Sequence, residues 1–195
     1  MRRYKIILCF LVFNFLCATA SFALIDNWTH YNNGIKFLAA KNYAQAQGNF
    51  DYYLNQPEMH RHMFGVAHFG RGLLFQEMGK YDRAIEEFRL AIENDLHPTV
   101  RITDNAYMNI GTIYMERKAY QDAIRAYSKA IEGNSRNGLA HYYLGLVYLK
   151  DNQYEEAEKE AEEAKRLGVT FTALSDELNK IKNNTGKTGK AQKRD

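Results

Sequence analysis

The sequence predicts an all-α solenoid of four helical hairpins that ends in a C-terminal capping helix. Three observations predict this fold class: one pattern of small and aromatic residues occurs four times, proline is nearly absent, and apolar residues recur three and four positions apart. The chain has 195 residues, of which 46% are hydrophobic and only two are proline. This composition supplies enough apolar side chains for a packed core and few residues that break helices.

The first 23 residues have the features of a secretory signal peptide. Basic residues precede an apolar stretch over 6–16, and small residues follow it. We expect cleavage after Ala20 or Ala23, and export to the periplasm or the cell exterior. The apolar stretch is shorter than the roughly 20 residues that span a bilayer. An uncleaved membrane anchor is therefore the less favoured alternative, and no membrane association is expected after cleavage.

The composition outside this segment argues against catalysis and against nucleic-acid binding. Both cysteines, Cys9 and Cys17, lie within the predicted signal, so the exported part has no thiol for a disulfide or a nucleophile. No Gly-x-Ser-x-Gly motif marks an acyl-transfer serine, and we expect no cofactor. Loss of the three basic residues of the signal lowers the number of Lys and Arg from 26 to 23, which equals the 23 Asp and Glu. A nucleic-acid partner requires a basic surface instead.

A glycine, an aromatic residue and an alanine recur at fixed spacing in four segments. The glycines are Gly34, Gly72, Gly111 and Gly145. Three residues after them stand Phe37, Phe75, Tyr114 and Tyr148, and twelve residues after them stand Ala46, Ala84, Ala123 and Ala157. Four residues beyond these alanines stand Phe50, Phe88 and Tyr127, with Ala161 as the exception. Small residues let two helices approach closely, and aromatic side chains fill the space between hairpins.

This pattern resembles the tetratricopeptide repeat, a helical hairpin of about 34 residues. The four units occupy residues 27–60, 65–98, 104–137 and 138–171, within a repeat region over 24–171. The resemblance implies that the hairpins stack into a right-handed superhelix with a concave inner face. Inserted residues around Pro57 and Pro98 indicate longer loops that lead into lengthened first helices of the second and third hairpins.

The sequence after the fourth unit predicts one more helix. Four apolar residues follow one another at spacings of three, four and three residues, which places them on one helical face. They are Phe171, Leu174, Leu178 and Ile181. We therefore expect 172–183 to form a helix that caps the last hairpin. Residues 184–195 hold no large apolar side chain and predict a disordered, weakly basic tail.

The resemblance also implies a partner-binding groove on the concave face, lined by the first helix of each hairpin. The residues that it places there are Trp28, Tyr31, Val66, Phe69, Leu73, Asn105, Met108, Asn109, Thr112, Leu139, Tyr142 and Tyr143. Most of them are apolar or aromatic, and a few at the centre are polar. Such side chains give a large contact area at modest entropic cost, so we expect the groove to bind an apolar peptide or protein segment.

Histidine residues indicate one alternative, a metal-binding protein. His60, His62 and His68 lie close together in the sequence, and imidazole is a common ligand of zinc and copper. His68 also shares repeat position 4 with His30 and His141, and the resemblance implies that this position is used for packing. We therefore expect the histidines to be structural, with metal binding as the alternative.

Together these features predict a non-catalytic scaffold or adaptor that binds a protein partner in the periplasm. The habit of similar exported proteins suggests assembly of the envelope, of a secretion system or of a pilus. The glycosylation sequons at Asn27 and Asn183 favour a different setting, a luminal adaptor or co-chaperone of the eukaryotic secretory pathway.

Overall fold

The computed structural model describes residues 28–56, 61–96 and 101–191. Within these ranges the regular secondary structure is entirely helical, with nine α-helices and one short 3-10 helix. The predicted signal peptide over 1–23 lies outside the described residues. Among the helices in these ranges, none is long and apolar enough to cross a membrane.

Eight of the helices form four hairpins, and the ninth packs on the last hairpin. The helices are α1 (28–39), α2 (Tyr43–Leu54), α3 (Phe64–Glu77), α4 (Tyr81–Glu93), α5 (Ile102–Glu116), α6 (Tyr120–Gly133), α7 (Gly138–Lys150), α8 (Tyr154–Arg166) and α9 (Ala173–Ala191). Packing is most extensive within hairpins two, three and four, which are α3–α4, α5–α6 and α7–α8. The second helix of each hairpin also packs against the first helix of the next, so the hairpins stack in chain order. The predicted all-α solenoid with a capping helix is confirmed.

Helices α3 and α5 are longer than the first helix of the fourth hairpin, as the insertions predict. Helix α5 has 15 residues and α3 has 14, whereas α7, which follows no insertion, has 13. The 3-10 helix Arg61–Met63 leads directly into α3. Pro57 and Pro98 lie outside the part of the chain that the structure describes.

The turn between the two helices has the same backbone in all four hairpins. One residue in each turn has a positive φ: Lys41 (56°), Gly79 (70°), Lys118 (58°) and Asn152 (61°). The next residue donates its N–H to a carbonyl five residues earlier, as Asn42 does to Phe37 at 2.8 Å. This Schellman arrangement closes a helix through one left-handed residue. Only one copy uses glycine, so the other three hold a side chain in a conformation that costs about 1 kcal/mol.

Close contact between glycines and large side chains holds each hairpin together. Phe50 lies against Gly34, Phe88 against Gly72, and Tyr127 against Gly111. A Cβ added at Gly72 would lie 2.5 Å from Phe88 Cδ1, closer than real Cβ atoms come. The fourth hairpin has Ala161 in place of the aromatic residue, and there Leu174 of α9 would lie 2.6 Å from a Cβ at Gly145. The capping helix therefore supplies the side chain that the last hairpin lacks.

Helix α9 begins one residue after the predicted start at 172. It starts at Ala173, and the Asp176 N–H bonds to the Thr172 carbonyl at 2.8 Å. Phe171 therefore precedes the helix and is exposed, whereas Leu174 is buried. The prediction that these two residues share one helical face is wrong. The signal for the later start is Thr172 itself, because threonine is a favoured residue immediately before a helix.

Helix α9 also ends later than predicted. It continues to Ala191, into the segment 184–195 that the sequence predicts as a disordered tail. The buried residues Leu174 and Leu178 fix the first turns of the helix against α7 and α8. Once these turns are formed, each further residue adds a hydrogen bond, so extension is easier than nucleation.

Candidate functional site

Between hairpins two and three, the first helices lie closer to each other than the second helices do. Helices α3 and α5 contact each other, whereas the second helices α4 and α6 do not pack on each other to a comparable extent. Closer spacing of the first helices curves the stack toward them. Their side chains that point away from the core therefore face the inner surface.

Three side chains at the C-terminal end of this inner face form the C-terminal apolar patch: Leu139, Tyr142 and Phe171. Leu139 is 44% exposed and Phe171 is 58% exposed. The centroids of the Tyr142 and Phe171 rings lie 5.4 Å apart, and the rings are tilted by 53°. Helix α7 places Leu139 and Tyr142 on one side because they are three residues apart. Large apolar side chains exposed together mark a candidate interaction surface.

Two cavities border the C-terminal apolar patch, and residues 168–171 line both of them. A cavity of about 430 Å³ has Tyr142, Phe171 and Leu174 in its wall, between α8 and α9. A second cavity of about 530 Å³ has Leu139 and Phe171 in its wall. The patch therefore combines an exposed apolar surface with space for inserted side chains.

A ladder of tyrosine rings supports the patch. Tyr142 meets Tyr143 edge to face, with centroids 5.5 Å apart, and Tyr143 stacks on Tyr127 at 5.8 Å. The hydroxyl oxygens of Tyr127 and Thr112 lie 3.0 Å apart, within hydrogen-bond distance. Burial raises the pKa of Tyr127 to about 12, so its phenol is neutral at physiological pH. The ladder fixes the orientation of Tyr142 relative to hairpin three.

Aromatic residues at the N-terminal end of the inner face are packed into the stack. The Tyr31 ring centroid lies 5.7 Å from that of Trp28 and 5.9 Å from that of Phe50. Burial raises the pKa of Tyr31 to about 12. The Phe69 ring lies 5.6 Å from Phe88 and packs against the core of hairpins two and three. These predicted groove residues are half-buried and hold the hairpins together.

The structure contradicts the predicted position of Val66 in the groove. This side chain is 2% exposed and packs in the core with Met63 and Ile102. Both of these neighbours belong to segments that the insertions add, before α3 and at the start of α5. The equivalent position in hairpin four, Leu139, follows no insertion and stays open.

The centre of the inner face is polar. The Asn109 amide donates to the Asn105 carbonyl at 2.8 Å, and the Thr112 hydroxyl donates to the Met108 carbonyl at 3.1 Å. Leu73 and Met108 are half-buried against neighbouring parts of the core. Asn105 remains exposed. Much of the hydrogen-bonding capacity here is used within α5, so the centre offers fewer free groups than the sequence suggests.

The histidines at repeat position 4 bond to the second helix of their own hairpin. The distances are 3.3 Å from His30 Nδ1 to Asn49 Oδ1, 2.8 Å from His68 Nδ1 to Glu87 Oε2, and 2.6 Å from His141 Nδ1 to Glu160 Oε2. The acceptor always stands 19 residues after the histidine. This spacing of 19 residues is the signal in the sequence that points to the contact. His68 is therefore engaged in a structural contact, as its repeat position indicates.

The metal-binding alternative rests on a set of residues that is only partly described. Within the described ranges, no group of three or more His, Cys, Asp and Glu side chains is placed to hold a metal ion. His60 lies outside those ranges, so the set of His60, His62 and His68 stays a prediction.

The sequence of the chain matches the model of one known protein family. The family model described as tetratricopeptide repeat matches residues 69–134 and 108–168, which together cover 100 of the 195 residues. The chain belongs to the tetratricopeptide repeat family. The prediction made from the repeated glycine, aromatic and alanine spacing is therefore confirmed. Tetratricopeptide repeat proteins generally mediate protein–protein interactions as scaffolds and are generally not enzymes.

Individual tetratricopeptide repeat proteins share the fold with low sequence identity. The anaphase-promoting complex subunit CDC16 of Saccharomyces cerevisiae is 27% identical over 128 residues, which are 64% of this chain. The match spans only 14% of the length of that relative. A crystal structure of the MamA protein has a TM-score of 0.65 at 20% identity, covering 86% of this chain and 87% of that one. The structure of the Cut9–Hcn1 hetero-tetramer of the APC/C has a TM-score of 0.63 at 17% identity, covering 78% and 29%.

Proposed function

We propose that this tetratricopeptide repeat protein is a non-catalytic scaffold that binds an apolar segment of a protein partner at the C-terminal apolar patch. The observation that carries the proposal is the exposure of Leu139 and Phe171, 44% and 58%, beside the Tyr142 ring. Cavities of about 430 and 530 Å³ border these side chains. Contiguous apolar side chains on a soluble surface commonly mark interaction sites.

Burial of the exposed part of the patch contributes favourable free energy to binding. Complete burial of a Leu or Phe side chain contributes about 1.5–3 kcal/mol, and aromatic anchors commonly dominate interfaces. The tyrosine ladder already holds the Tyr142 ring in place, so little side-chain entropy is lost when a partner docks. The occupant that fits is a protein segment with bulky apolar side chains that enter the two cavities.

The setting that we propose is an assembly in the periplasm, such as one of the envelope, a secretion system or a pilus. The pattern of basic, apolar and small residues over 1–23 supports export. N-terminal sequencing of the protein from the periplasmic fraction is expected to begin at Ser21 or Leu24. A protein that keeps Met1 and stays in the cytoplasmic fraction would contradict the export step.

Site-specific crosslinking in the native cell tests the proposed surface. A photoreactive benzoylphenylalanine replaces Phe171 in the full chain, and in a matched control it replaces Tyr154, which is 42% exposed on α8. We expect a discrete protein adduct from position 171 and none of the same mass from position 154. Equal adducts from both positions would indicate non-specific contact and contradict the proposal.

The partner found by crosslinking then allows an affinity measurement. Phe171→Ala and Tyr142→Ala are each expected to weaken binding by about tenfold to thirtyfold, as the loss of an aromatic anchor does. Tyr154→Ala removes an aromatic ring of similar exposure outside the patch and is expected to leave the affinity unchanged. Unchanged affinity in both patch variants places the contact elsewhere on the molecule.

A further inference from the structure

Hairpin three lacks the histidine contact that the other three hairpins contain. Its residue at repeat position 4 is Tyr107, and the residue 19 positions later is Ala126, which has no side-chain acceptor. Both residues line a cavity of about 360 Å³. The cavity is bordered by α4 of hairpin two and by both helices of hairpin three. We call it the junction cavity.

The preceding junction, between hairpins one and two, is filled by charged side chains. The guanidinium of Arg71 lies 2.8 Å from Glu87 and 3.3 Å from Asp51 of hairpin one. Glu87 is buried and also contacts His68 at 2.8 Å. Charges at this junction are therefore paired inside the protein.

The equivalent positions at the next junction hold residues of different chemistry. Arg89 stands at the position of Asp51, Ile110 at that of Arg71, and Ala126 at that of Glu87. Arg89, Ile110 and Ala126 all line the junction cavity. A guanidinium thus borders a cavity with both apolar and charged side chains in its wall, where the preceding junction has an internal ion pair.

Arg89 is the cation of the junction cavity that is left for an external partner. The other two cations pair along their own helix, Arg125 with Asp122 and Lys129 with Glu132 at 2.7 Å. Glu93 also lines the cavity, one helical turn after Arg89. Within the described part of the chain, Arg89 makes no ion pair or hydrogen bond, with Glu93 or with any other residue.

A neighbouring cavity extends this space along α4. It has a volume of about 440 Å³ and shares Arg89, Glu93 and Tyr114 with the junction cavity. Its wall runs along α4 from Asp82 to Glu93, a rise of about 16 Å. The combined groove therefore fits several residues of a peptide chain.

We propose that the junction cavity binds a protein segment that carries a bulky apolar side chain next to a carboxylate. The apolar side chain packs against Tyr107, Ile110 and Ala126, and the carboxylate pairs with Arg89. Arginine suits this pairing because its planar guanidinium binds a carboxylate through two parallel hydrogen bonds. The site is separate from the C-terminal apolar patch, so one molecule holds two different partner segments.

Peptide binding to the purified full chain tests this proposal. The probe is an array of short synthetic peptides in matched triplets, in which a Leu or Phe is followed by Asp, Asn or Lys. We expect the Asp peptides to bind best, and Arg89→Glu to weaken them at least about tenfold and to shift the preference toward Lys. The control Lys159→Glu reverses an exposed charge on α8, away from the cavity, and is expected to leave binding unchanged.

A double variant closes the cavity while Arg89 stays in place. Tyr107→His together with Ala126→Glu introduces the contact found in hairpins two and four, and we expect it to abolish binding of the Asp peptides. Circular dichroism and the thermal midpoint check that the variant folds, because Ala126 is buried. Tyr142→Ala is expected to bind the peptides normally, which separates this site from the C-terminal apolar patch.

Two results would overturn the proposal. One is equal binding of the three members of each triplet, or an acidic preference that Arg89→Glu does not alter. The other is dimerisation in sedimentation experiments that Arg89→Glu abolishes, because the occupant would then be a second copy of the chain.

Discussion

All four hairpins have the same backbone turn, but they differ in the side chain that covers the glycine of the first helix. In hairpin two, Phe88 of the second helix covers Gly72 of the first helix, and hairpins one and three follow the same rule. In hairpin four the corresponding residue is Ala161, and Leu174 of the capping helix covers Gly145 instead. The last hairpin therefore depends on α9 for a contact that the others make themselves.

This difference determines which side chains at the inner face stay exposed. Phe69 in hairpin two packs on Phe88 and on the next hairpin. Tyr142 holds the same repeat position in hairpin four, but it faces Phe171, which is itself exposed. Hairpins one to three are each followed by the first helix of another repeat. Hairpin four is followed by α9 instead, and Phe171 before this helix stays exposed. The C-terminal apolar patch thus arises where the repeat pattern ends.

The largest expected effect tests how much the capping helix contributes to hairpin four. Leu174 is 1% exposed, and Leu174→Ala is expected to lower the free energy of unfolding by about 3 kcal/mol, because a cavity replaces the lost side chain. Leu139→Ala makes the same change at a residue that is 44% exposed, and it is expected to cost less than about 0.5 kcal/mol. Urea unfolding followed by circular dichroism measures both. Equal losses would show that α9 does not cover hairpin four.

The next effect concerns hairpin three at alkaline pH. Burial raises the pKa of Tyr127 to about 12, above the ordinary value of about 10. Above about pH 10 the unfolded chain loses this proton while the folded chain keeps it. Tyr127 therefore contributes stability that is present below that pH and is lost as the pH rises toward the folded-state pKa, about 2–3 kcal/mol from this one group. Tyr127 is the side chain that covers Gly111, so this contribution belongs to the packing of hairpin three.

Stability measured as a function of pH in Tyr127→Phe tests this assignment. The variant cannot ionise at this position, so a smaller alkaline loss is expected than in the unmodified chain. Tyr154→Phe removes the hydroxyl of an exposed tyrosine of hairpin four and controls for the general effect of a Tyr→Phe change. The same pH dependence in Tyr127→Phe and the unmodified chain would contradict the assignment.

A smaller effect tests the glycine contact in hairpin two. Gly72→Ala would place a Cβ 2.5 Å from Phe88 Cδ1, and we expect a loss of about 1–3 kcal/mol from overpacking. Gly48→Ala is the matched control in α2, where no heavy atom lies within 4 Å of the added Cβ. There alanine is expected to stabilise the helix by about 0.5–1 kcal/mol. Thermal midpoints that move in the same direction for both variants would disprove the close-contact explanation.

The sequence predicts the repeated elements because their signals occur more than once. Glycine, aromatic and alanine residues at one spacing, in four copies, are sufficient to predict the hairpins, the stack and the family. The exception at Ala161 is visible in the sequence as well. Its consequence is not, because the replacement side chain, Leu174, comes from a different helix and no spacing rule connects the two.

Features that occur only once in the chain are harder to predict. Burial of Val66 depends on Met63 and Ile102, which come from insertions without a counterpart in the other units. The position of Phe171 depends on where α9 begins, and this side chain lies two residues before the helix, in an exposed patch. The junction cavity emerges only when residues of two neighbouring hairpins are compared in space.

The smallest expected effect tests what all four hairpins share, the turn with one left-handed residue. Lys118 has a φ of 58° at the position that Gly79 holds in hairpin two. Lys118→Gly is expected to raise the free energy of unfolding by about 0.5–1 kcal/mol, because glycine adopts this conformation without steric cost. The reverse change, Gly79→Lys, is expected to lower it by a similar amount, and scanning calorimetry measures both. A loss of stability in Lys118→Gly would mean that the greater freedom of glycine in the unfolded chain outweighs the relief of strain. Changes in the free energy of unfolding that are opposite in sign and similar in size would show that the turns of hairpins two and three are equivalent. The hairpins then differ in side-chain packing and not in the backbone of the turn.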